Sequence, residues 1–396
     1  MPAGVYLHIP FCKSRCSYCD FATDVWRSSD AVERYVNAMC RELSEPAALA
    51  AGTHTAGKSA TIGANTSPPA YAGGSDVDTI YFGGGTPSLL SAEQVERILE
   101  NVHSNFDVDA KAEITMEMNP ATVSAETLAG YWELGVNRAS FGVQTFNERD
   151  LKLLARGHDA NDARHTFRLL RDAGFENVSF DLIAGLPGQT LEDWRRNLDE
   201  AVSMQPEHLS LYLLEIHEGT PLAEQLRTNR RPMPDEELAA EMYELMIESL
   251  AAAGYEQYEI SNFAKSDFES RHNTKYWRLD PVYGFGVSAH SFDGYQRYAN
   301  ERDTAKYVSM VENGGSTEVM RETIDAASEF IFLGLRLNQG IDLTNYKGRF
   351  HIDILKKYKT EITDLLDAEL IENDGNDIRL TRKGMLFSNE VFQQFV

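Results

Sequence analysis

The sequence predicts an α/β protein, a parallel sheet of strands joined by helices, followed by a smaller α+β module at the C-terminus. Two patterns carry that prediction. Short β-branched and aromatic runs at residues 5–8, 79–82, 114–118, 139–143, 178–182 and 209–213 alternate with stretches of helical period. Parallel neighbours need a long crossover, usually a helix, so this alternation is the signature of a βα sheet. Late in the chain the alternation stops. Helical stretches at 329–337 and 352–366 are followed by strand-like runs at 370–372 and 377–380 around Asn373-Asp374-Gly375-Asn376, as in a small winged helix.

Taken in order, the first strand is the apolar run Val5-Tyr6-Leu7-His8-Ile9, which Pro10 ends. The helix after it places Val32, Tyr35, Val36, Met39, Cys40 and Leu43 on one face, so Cys40 reads as a core residue. Between 45 and 78 the run AALAAGTHTAGKSATIGANTSPPAYAGGSD has too few large apolar groups to anchor a packed element and reads as a flexible insertion in a crossover. After the sixth strand come a helix at about 235–253 and a Gly/Tyr-rich aromatic stretch from 254 to 298. The division is therefore a sheet domain over 1–253, an aromatic segment over 254–320 and a C-terminal module over 321–396.

Composition narrows the function. Hydrophobic residues make up 42% and charged residues 25%, an ordinary globular balance. With 61 acidic against 37 basic residues, formally −24, the chain lacks the basic surface that binds phosphate backbones, and no nucleic-acid partner is expected, even for a winged helix. The N-terminal apolar run is short and lacks a basic leader, and no stretch of about 20 apolar residues could span a bilayer. Four cysteines, three of them within eight positions, suit metal binding in a reducing compartment better than disulfides, so a cytoplasmic location is expected.

Those three are Cys12, Cys16 and Cys19, in a loop after the first strand that can wrap three thiolates round one soft cationic centre. Three ligands leave one metal position open. A structural zinc site would need a fourth ligand, for which His8 is the nearby candidate, and a redox Cys16/Cys19 pair leaves Cys12 unexplained. The CxxxCxxC spacing after a first barrel strand resembles the radical S-adenosylmethionine motif. That resemblance implies a [4Fe–4S] cluster whose open iron chelates the amino and carboxylate groups of S-adenosylmethionine, with release of a 5′-deoxyadenosyl radical on electron transfer.

In β/α barrels the functional groups sit at the C-terminal strand ends. Here the ends carry Gly83-Gly84-Gly85-Thr86-Pro87, Glu117-Met118-Asn119-Pro120, Gln144 and Asp181. The glycines would let backbone N–H and C=O groups approach the methionine end of the cofactor. Arg156 is suited to its carboxylate, although on sequence alone a surface arginine fits equally well. Glu117, Gln144 and Asp181 are suited to the ribose hydroxyls and amino group.

The segments YLHIPFCKSRCSYCDF, IYFGGGTPSLL, ITMEMNPATV, NRASFGVQTFN, FDLIAGLPGQTLEDW and HLSLYLLEIHEGTP are similar, one by one, to the coproporphyrinogen dehydrogenase and HemW-type heme chaperone family. The similarity continues through GYEQYEISNFA, HNTKYW and GFGVSAHS. It implies a partial (β/α)6 barrel with a C-terminal domain, and cofactor contacts from Tyr6, Tyr18, Gly84, Gly85, Thr86, Glu117, Gln144, Arg156 and Asp181. It assigns no catalytic residue.

Within the family, three details favour the chaperone over the dehydrogenase, which decarboxylates propionates to vinyls. The dehydrogenase pattern CxxxCxxCxC has a further cysteine where Phe21 stands, and its long N-terminal extension is replaced by eleven residues before Cys12. Finally, His272-Asn273-Thr274-Lys275-Tyr276-Trp277 resembles the HNxxYW motif of the chaperone branch. His272 would offer an axial imidazole to heme iron, and Tyr276 and Trp277 flat apolar surface. Alternatively the two aromatics pack their own segment and His272 caps a turn. His290, His8 and His217 are further imidazoles to consider. The resemblance also implies a homodimer and transfer of heme to respiratory membrane proteins, with peripheral membrane association.

Overall fold

A computed structural model describes residues 1–26, 28–44 and 76–395. The first strand, β1 (Ala3–Ile9), leads into a small parallel pair, β2 (Phe11–Cys12) and β3 (Asp24–Val25), and then helix α1 (Ser29–Ser44). There follow β4 (Asp76–Gly84), α2 (Ala92–Asn105), β5 (Asp107–Met118), α3 (Ala125–Glu133), β6 (Arg138–Gln144), α4 (Glu148–Leu153), α5 (Ala160–Asp172), β7 (Asn177–Ala184), α6 (Leu191–Met204) and β8 (His208–Leu213). All six expected strands are present. They pair in parallel in the order β1-β4-β5-β6-β7-β8, the partial (β/α)6 barrel of the expectation.

Local sequence explains why the helices begin where they do. Ser91, Ser124, Asp159 and Thr190 each accept a backbone N–H at the start of α2, α3, α5 and α6. The residue three places on returns a bond to the cap, giving four capping boxes. Period-two alternation then sets the faces. Val5, Leu7 and Ile9 of β1, Ala139, Phe141 and Val143 of β6, and Val178, Phe180 and Leu182 of β7 are buried in the main hydrophobic core. Their alternates, including Tyr6, His8, Ser140 and Asp181, turn the other way into the lumen.

Beyond β8 come α7 (Pro221–Arg227), α8 (Glu236–Ala252), β9 (Glu256–Glu259), β10 (Asn262–Ala264), α9 (Arg271–Trp277), β11 (Val282–Phe285), β12 (His290–Phe292), β13 (Gln296–Asn300), α10 (Thr304–Glu312) and β14 (Glu318–Thr323). These strands extend the sheet at both edges: β10 and β9 beside β8, and β11 to β14 outward from β1. The last part contains α11 (Ala326–Gly334), β15 (Ile341–Asp342), α12 (Leu343–Phe350), α13 (Ile354–Lys357), α14 (Lys359–Asp367), β16 (Ile371–Asn373) and β17 (Asp377–Leu380). It has its own hydrophobic cluster and a three-stranded sheet ordered β15-β17-β16. That is the winged-helix-like module.

Several boundaries differ from the sequence reading. Residues 76–78 are strand, not insertion, because Val77 joins the core; the rest of that insertion, 45–75, lies outside the described residues. The helix expected at 352–366 breaks at Tyr358, which leaves helical geometry (φ −110°, ψ 38°) as its ring seats against Phe395. The helix expected at 329–337 starts earlier, capped by Asp325. Cys40 is only partly buried, packed on the margin of the core with its Sγ 3.8 Å from the Arg97 carbonyl.

A buried carboxylate ties α1 to the extended sheet. Glu42 accepts hydrogen bonds from the Gly286 N–H (2.8 Å), Asn300 Nδ2 (2.6 Å), the Tyr307 hydroxyl (2.6 Å) and the Thr317 hydroxyl (3.0 Å). Glu42→Ala leaves four buried donors short of an acceptor and is expected to cost about 3 kcal/mol, read from the denaturant midpoint; a loss below about 0.5 kcal/mol would show that the network adds nothing.

Candidate functional site at the barrel mouth

The cysteine loop is fixed from both sides. The Asp24 N–H donates to the Pro10 carbonyl and the Trp26 N–H to the Cys12 carbonyl, each at 2.8 Å. Ser17 donates through its N–H to the Leu154 carbonyl (3.0 Å) and through its hydroxyl to the Leu153 carbonyl (2.9 Å), while the Leu222 N–H donates to Ser17 (2.8 Å). The loop is thus sewn to the ends of α4 and α7. Two donors point at its sulfurs: the Thr86 hydroxyl at Cys12 (3.5 Å) and Arg156 Nη1 at Cys16 (3.4 Å).

Burial pushes the Cys12 and Cys19 thiols up, and the neighbouring cysteines add to the effect. Such a site holds thiolates stably when a cation compensates them. Among the described residues no three His, Cys, Asp or Glu side chains converge on one ion-sized point. Three cysteine sulfurs in one loop are the donor type that an iron–sulfur cluster would take.

The strand ends gather round this loop. Asn119 Nδ2 donates to the Thr86 hydroxyl (2.7 Å), and Asn119 Oδ1 accepts from Arg156 Nη2. Arg156 Nη2 also donates to the Gly142 carbonyl (2.7 Å), and Nη1 lies 3.5 Å from the Tyr18 hydroxyl. Arg156 therefore lies among the strand ends beside the cysteine loop and not on the outer surface. Its Nε is buried without a protein partner, a donor that a bound carboxylate would satisfy.

Glu117 accepts from the Tyr81 hydroxyl (2.7 Å) and the Gly84 N–H (3.1 Å). Burial pushes its carboxyl up to about 7, against the pull of that hydroxyl. Gln144 is buried in the left-handed region (φ +66°), a strained turn that closes β6. Asp181 sits within β7, three residues before its end, with the Ser140 hydroxyl 3.4 Å away. Burial raises it against the Ser210 hydroxyl. Tyr6 stacks on Tyr81 (centroids 6.2 Å apart), with its hydroxyl 3.0 Å from His8 Nδ1.

Two N–H groups of the glycine run already have partners. The N–H of Gly84 is taken by Glu117 and that of Gly85 by the Ile9 carbonyl (2.7 Å), so neither is free for a carboxylate. A Cβ at Gly85 would stand 2.6 Å from the Pro10 carbonyl oxygen, and one at Gly84 2.7 Å from the His8 ring. The glycines let β4 end against the backbone that leads into Cys12.

The histidine-aromatic motif lies elsewhere. Helix α9 closes the N-terminal end of the barrel, opposite the cysteines: His272 is buried, with Nδ1 2.9 Å from the Thr79 hydroxyl and Nε2 3.3 Å from the Tyr276 hydroxyl. Burial, then Lys275 and Arg138, lower its pKa to about 3. In this arrangement neither ring nitrogen is free for iron, and the turn cap is Ser270, not His272. Trp277 carries Arg336 over its ring (4.2 Å), and Tyr276 is 36% exposed. His8 is likewise engaged, by Tyr6 and the Ala22 carbonyl (2.9 Å). His290 is exposed at the start of β12, and His217 is exposed beside Glu215 (3.6 Å).

Two lumen residues, Tyr81 and Arg138, escaped the sequence reading, and a third, Asn119, stands in that reading at a strand end without a role. Asn119 bridges Thr86 and Arg156, and Tyr81 orients Glu117. Arg138 is buried with Nε and Nη1 lacking partners. Strand parity was the available signal: Arg138 shares a face with Ser140, and Tyr81 with Thr79.

A six-stranded β/α barrel with three cysteines in the loop after its first strand defines a radical S-adenosylmethionine protein. The profile of the Radical SAM superfamily matches residues 70–201, and that of the HemN C-terminal domain matches 322–387. The chain is 35% identical to the heme chaperone HemW of Bacillus subtilis, covering 99% of each chain, and 37% identical to that of Escherichia coli, covering 100% of this chain and 98% of the other. The solved structure of coproporphyrinogen III oxidase (HemN) from Escherichia coli, a radical SAM enzyme, superposes with a TM-score of 0.82 at 25% identity, over 100% of this chain and 90% of the other. The chain belongs to the HemW heme chaperone family.

Gly85→Ala should therefore disturb the cysteine loop, because the new methyl meets backbone and not a movable side chain. The expected outcome is a fall in iron and sulfide content after reconstitution, assayed chemically; full cluster content with weakened S-adenosylmethionine binding would instead place the glycine against the ligand.

Proposed function

We propose that the chain holds a 4Fe–4S cluster through Cys12, Cys16 and Cys19, binds S-adenosylmethionine across the strand ends, and carries heme as a chaperone. The observation that supports this most directly is the convergence of Thr86 on Cys12 and Arg156 on Cys16 at one end of the barrel. Cluster and S-adenosylmethionine, when bound, supply one-electron chemistry at a sulfonium. Arg156, with an unpartnered Nε, is the group we assign to the methionine carboxylate, and backbone carbonyls of Gly83–Gly85 are assigned to its ammonium. Glu117, Gln144 and Asp181 take the ribose hydroxyls and amino group, with Tyr6 and Tyr18 flanking.

The heme reading rests on the full-length similarity to proteins named heme chaperones. His290, exposed at the start of β12, replaces His272 as the imidazole offered to iron. Heme-accepting respiratory membrane proteins as recipients, and a homodimer as the carrier, complete the proposal. Among the described residues no helix is long and apolar enough to cross a membrane. The likeness to coproporphyrinogen III oxidase keeps a second reading, propionate decarboxylation.

Anaerobic reconstituted protein offered hemin and coproporphyrinogen III in parallel separates the two. The chaperone retains hemin stoichiometrically and forms no vinyl groups; turnover of the porphyrinogen would reverse the assignment. Cys12→Ala, Cys16→Ala or Cys19→Ala should each abolish the iron–sulfur absorbance while Cys40→Ala keeps it, and an intact cluster in Cys16→Ala would sink the metal assignment.

A further inference from the structure

The histidine-aromatic helix is joined to the cofactor end of the barrel by a continuous set of contacts. At its start α9 is clasped by Glu113, whose carboxylate accepts the N–H groups of His272 (3.1 Å) and Arg271 (3.3 Å). Lys275 holds Asp78 (2.6 Å) and the Pro2 carbonyl (2.7 Å), fastening the helix to β1 and β4. Inside the lumen the His272 ring is stacked on Tyr81, with centroids 5.0 Å apart and planes 28° from parallel. The space is full: a Cβ at Gly4 would stand 2.9 Å from the Thr79 hydroxyl and 3.0 Å from the His272 ring. From Tyr81 the path continues upward, its hydroxyl on Glu117 and that carboxylate on the Gly84 N–H. Two residues on, Thr86 reaches Cys12.

We propose that His272 is a positioning residue of the cofactor site: its ring, anchored on Thr79 and stacked on Tyr81, fixes the Tyr81–Glu117–Gly84 contacts that set the strand end beside Cys12. This rests on the reading that S-adenosylmethionine binds at that strand end. Burial, with Lys275 and Arg138 nearby, keeps the imidazole neutral, which suits a ring that packs against Tyr81 and meets the Thr79 hydroxyl. Tyr276, half-exposed on α9, turns its hydroxyl to the same ring, 3.3 Å from His272 Nε2.

The test uses full-length reconstituted protein, with S-adenosylmethionine binding followed by calorimetry and by the change it causes in the electron paramagnetic resonance spectrum of the reduced cluster. Hemin is titrated in parallel through its Soret band. His272→Ala and Tyr81→Phe are each expected to weaken S-adenosylmethionine binding about tenfold, and the double variant no further than about tenfold, because both act through one contact. Iron content and hemin affinity should stay at the wild-type level. Tyr81→Phe removes one hydroxyl and keeps the test open if His272→Ala fails to fold. Unchanged S-adenosylmethionine binding in Tyr81→Phe, multiplicative losses in the double variant, or lost hemin with intact S-adenosylmethionine binding in His272→Ala would each overturn the proposal. If the wild-type protein does not bind S-adenosylmethionine, the functional reading falls first and this inference with it.

Discussion

Strand parity is the constraint on which the rest of the molecule depends. A parallel strand covered on both faces is ordinarily apolar throughout. Here only the helix-facing set is. The lumen-facing set carries hydroxyls, carboxylates, imidazoles and guanidiniums, so the barrel interior is a closed polar space in which each group needs a partner. Most partners are neighbours across the sheet: the Ser179 hydroxyl lies 2.8 Å from His208 Nδ1, whose Nε2 lies 2.8 Å from the Tyr258 hydroxyl. The outward residues supply the burial that holds the sheet, which frees the inward ones for chemistry.

Charge inside this space is balanced with few direct ion pairs. Glu117 and Asp181 are buried carboxylates, and burial raises both. Arg138 lowers each of them through space, while neither its Nε nor its Nη1 has a hydrogen-bond partner among the described residues. A guanidinium is hard to neutralise, so it opposes, without overcoming, the upward push of burial on these carboxyls. Ligands with ammonium, sulfonium and hydroxyl groups need those carboxylates as acceptors, which the protonated acids would serve poorly. Arg156, higher in the barrel, leaves one donor unused on the side of the cysteines.

Features written in local sequence could be read before the structure. Alternating strands, the cysteine spacing and the polar strand ends are local, and the six strands stand where β-branched and aromatic runs put them. What sequence could not give is which atoms fill the space beside a residue. The glycine run reads as an opening toward a ligand, yet a Cβ at Gly85 would strike the Pro10 carbonyl, a contact between segments 75 positions apart. Arg156 is ambiguous until the fold carries it to Cys16. His272 offers an imidazole in any linear reading; Tyr276 meets one nitrogen from the next turn of the same helix, but only the closure of α9 under the barrel puts Thr79 on the other.

That closure separates two jobs the linear motif would merge. Iron coordination needs a nitrogen lone pair directed at the metal, and a porphyrin needs open space round that nitrogen. The barrel floor offers neither, because Gly4, Thr79 and Tyr81 fill the volume round the His272 ring. The helix is held from the far side as well: Arg336 covers Trp277, and Arg349 donates to the carbonyls of Arg278 (3.3 Å) and Leu279 (3.0 Å). Those two arginines belong to the C-terminal part of the chain, next to α11 and in α12. The floor is thus braced from two directions, by β1, β4 and β5 within the barrel and by the C-terminal part outside it.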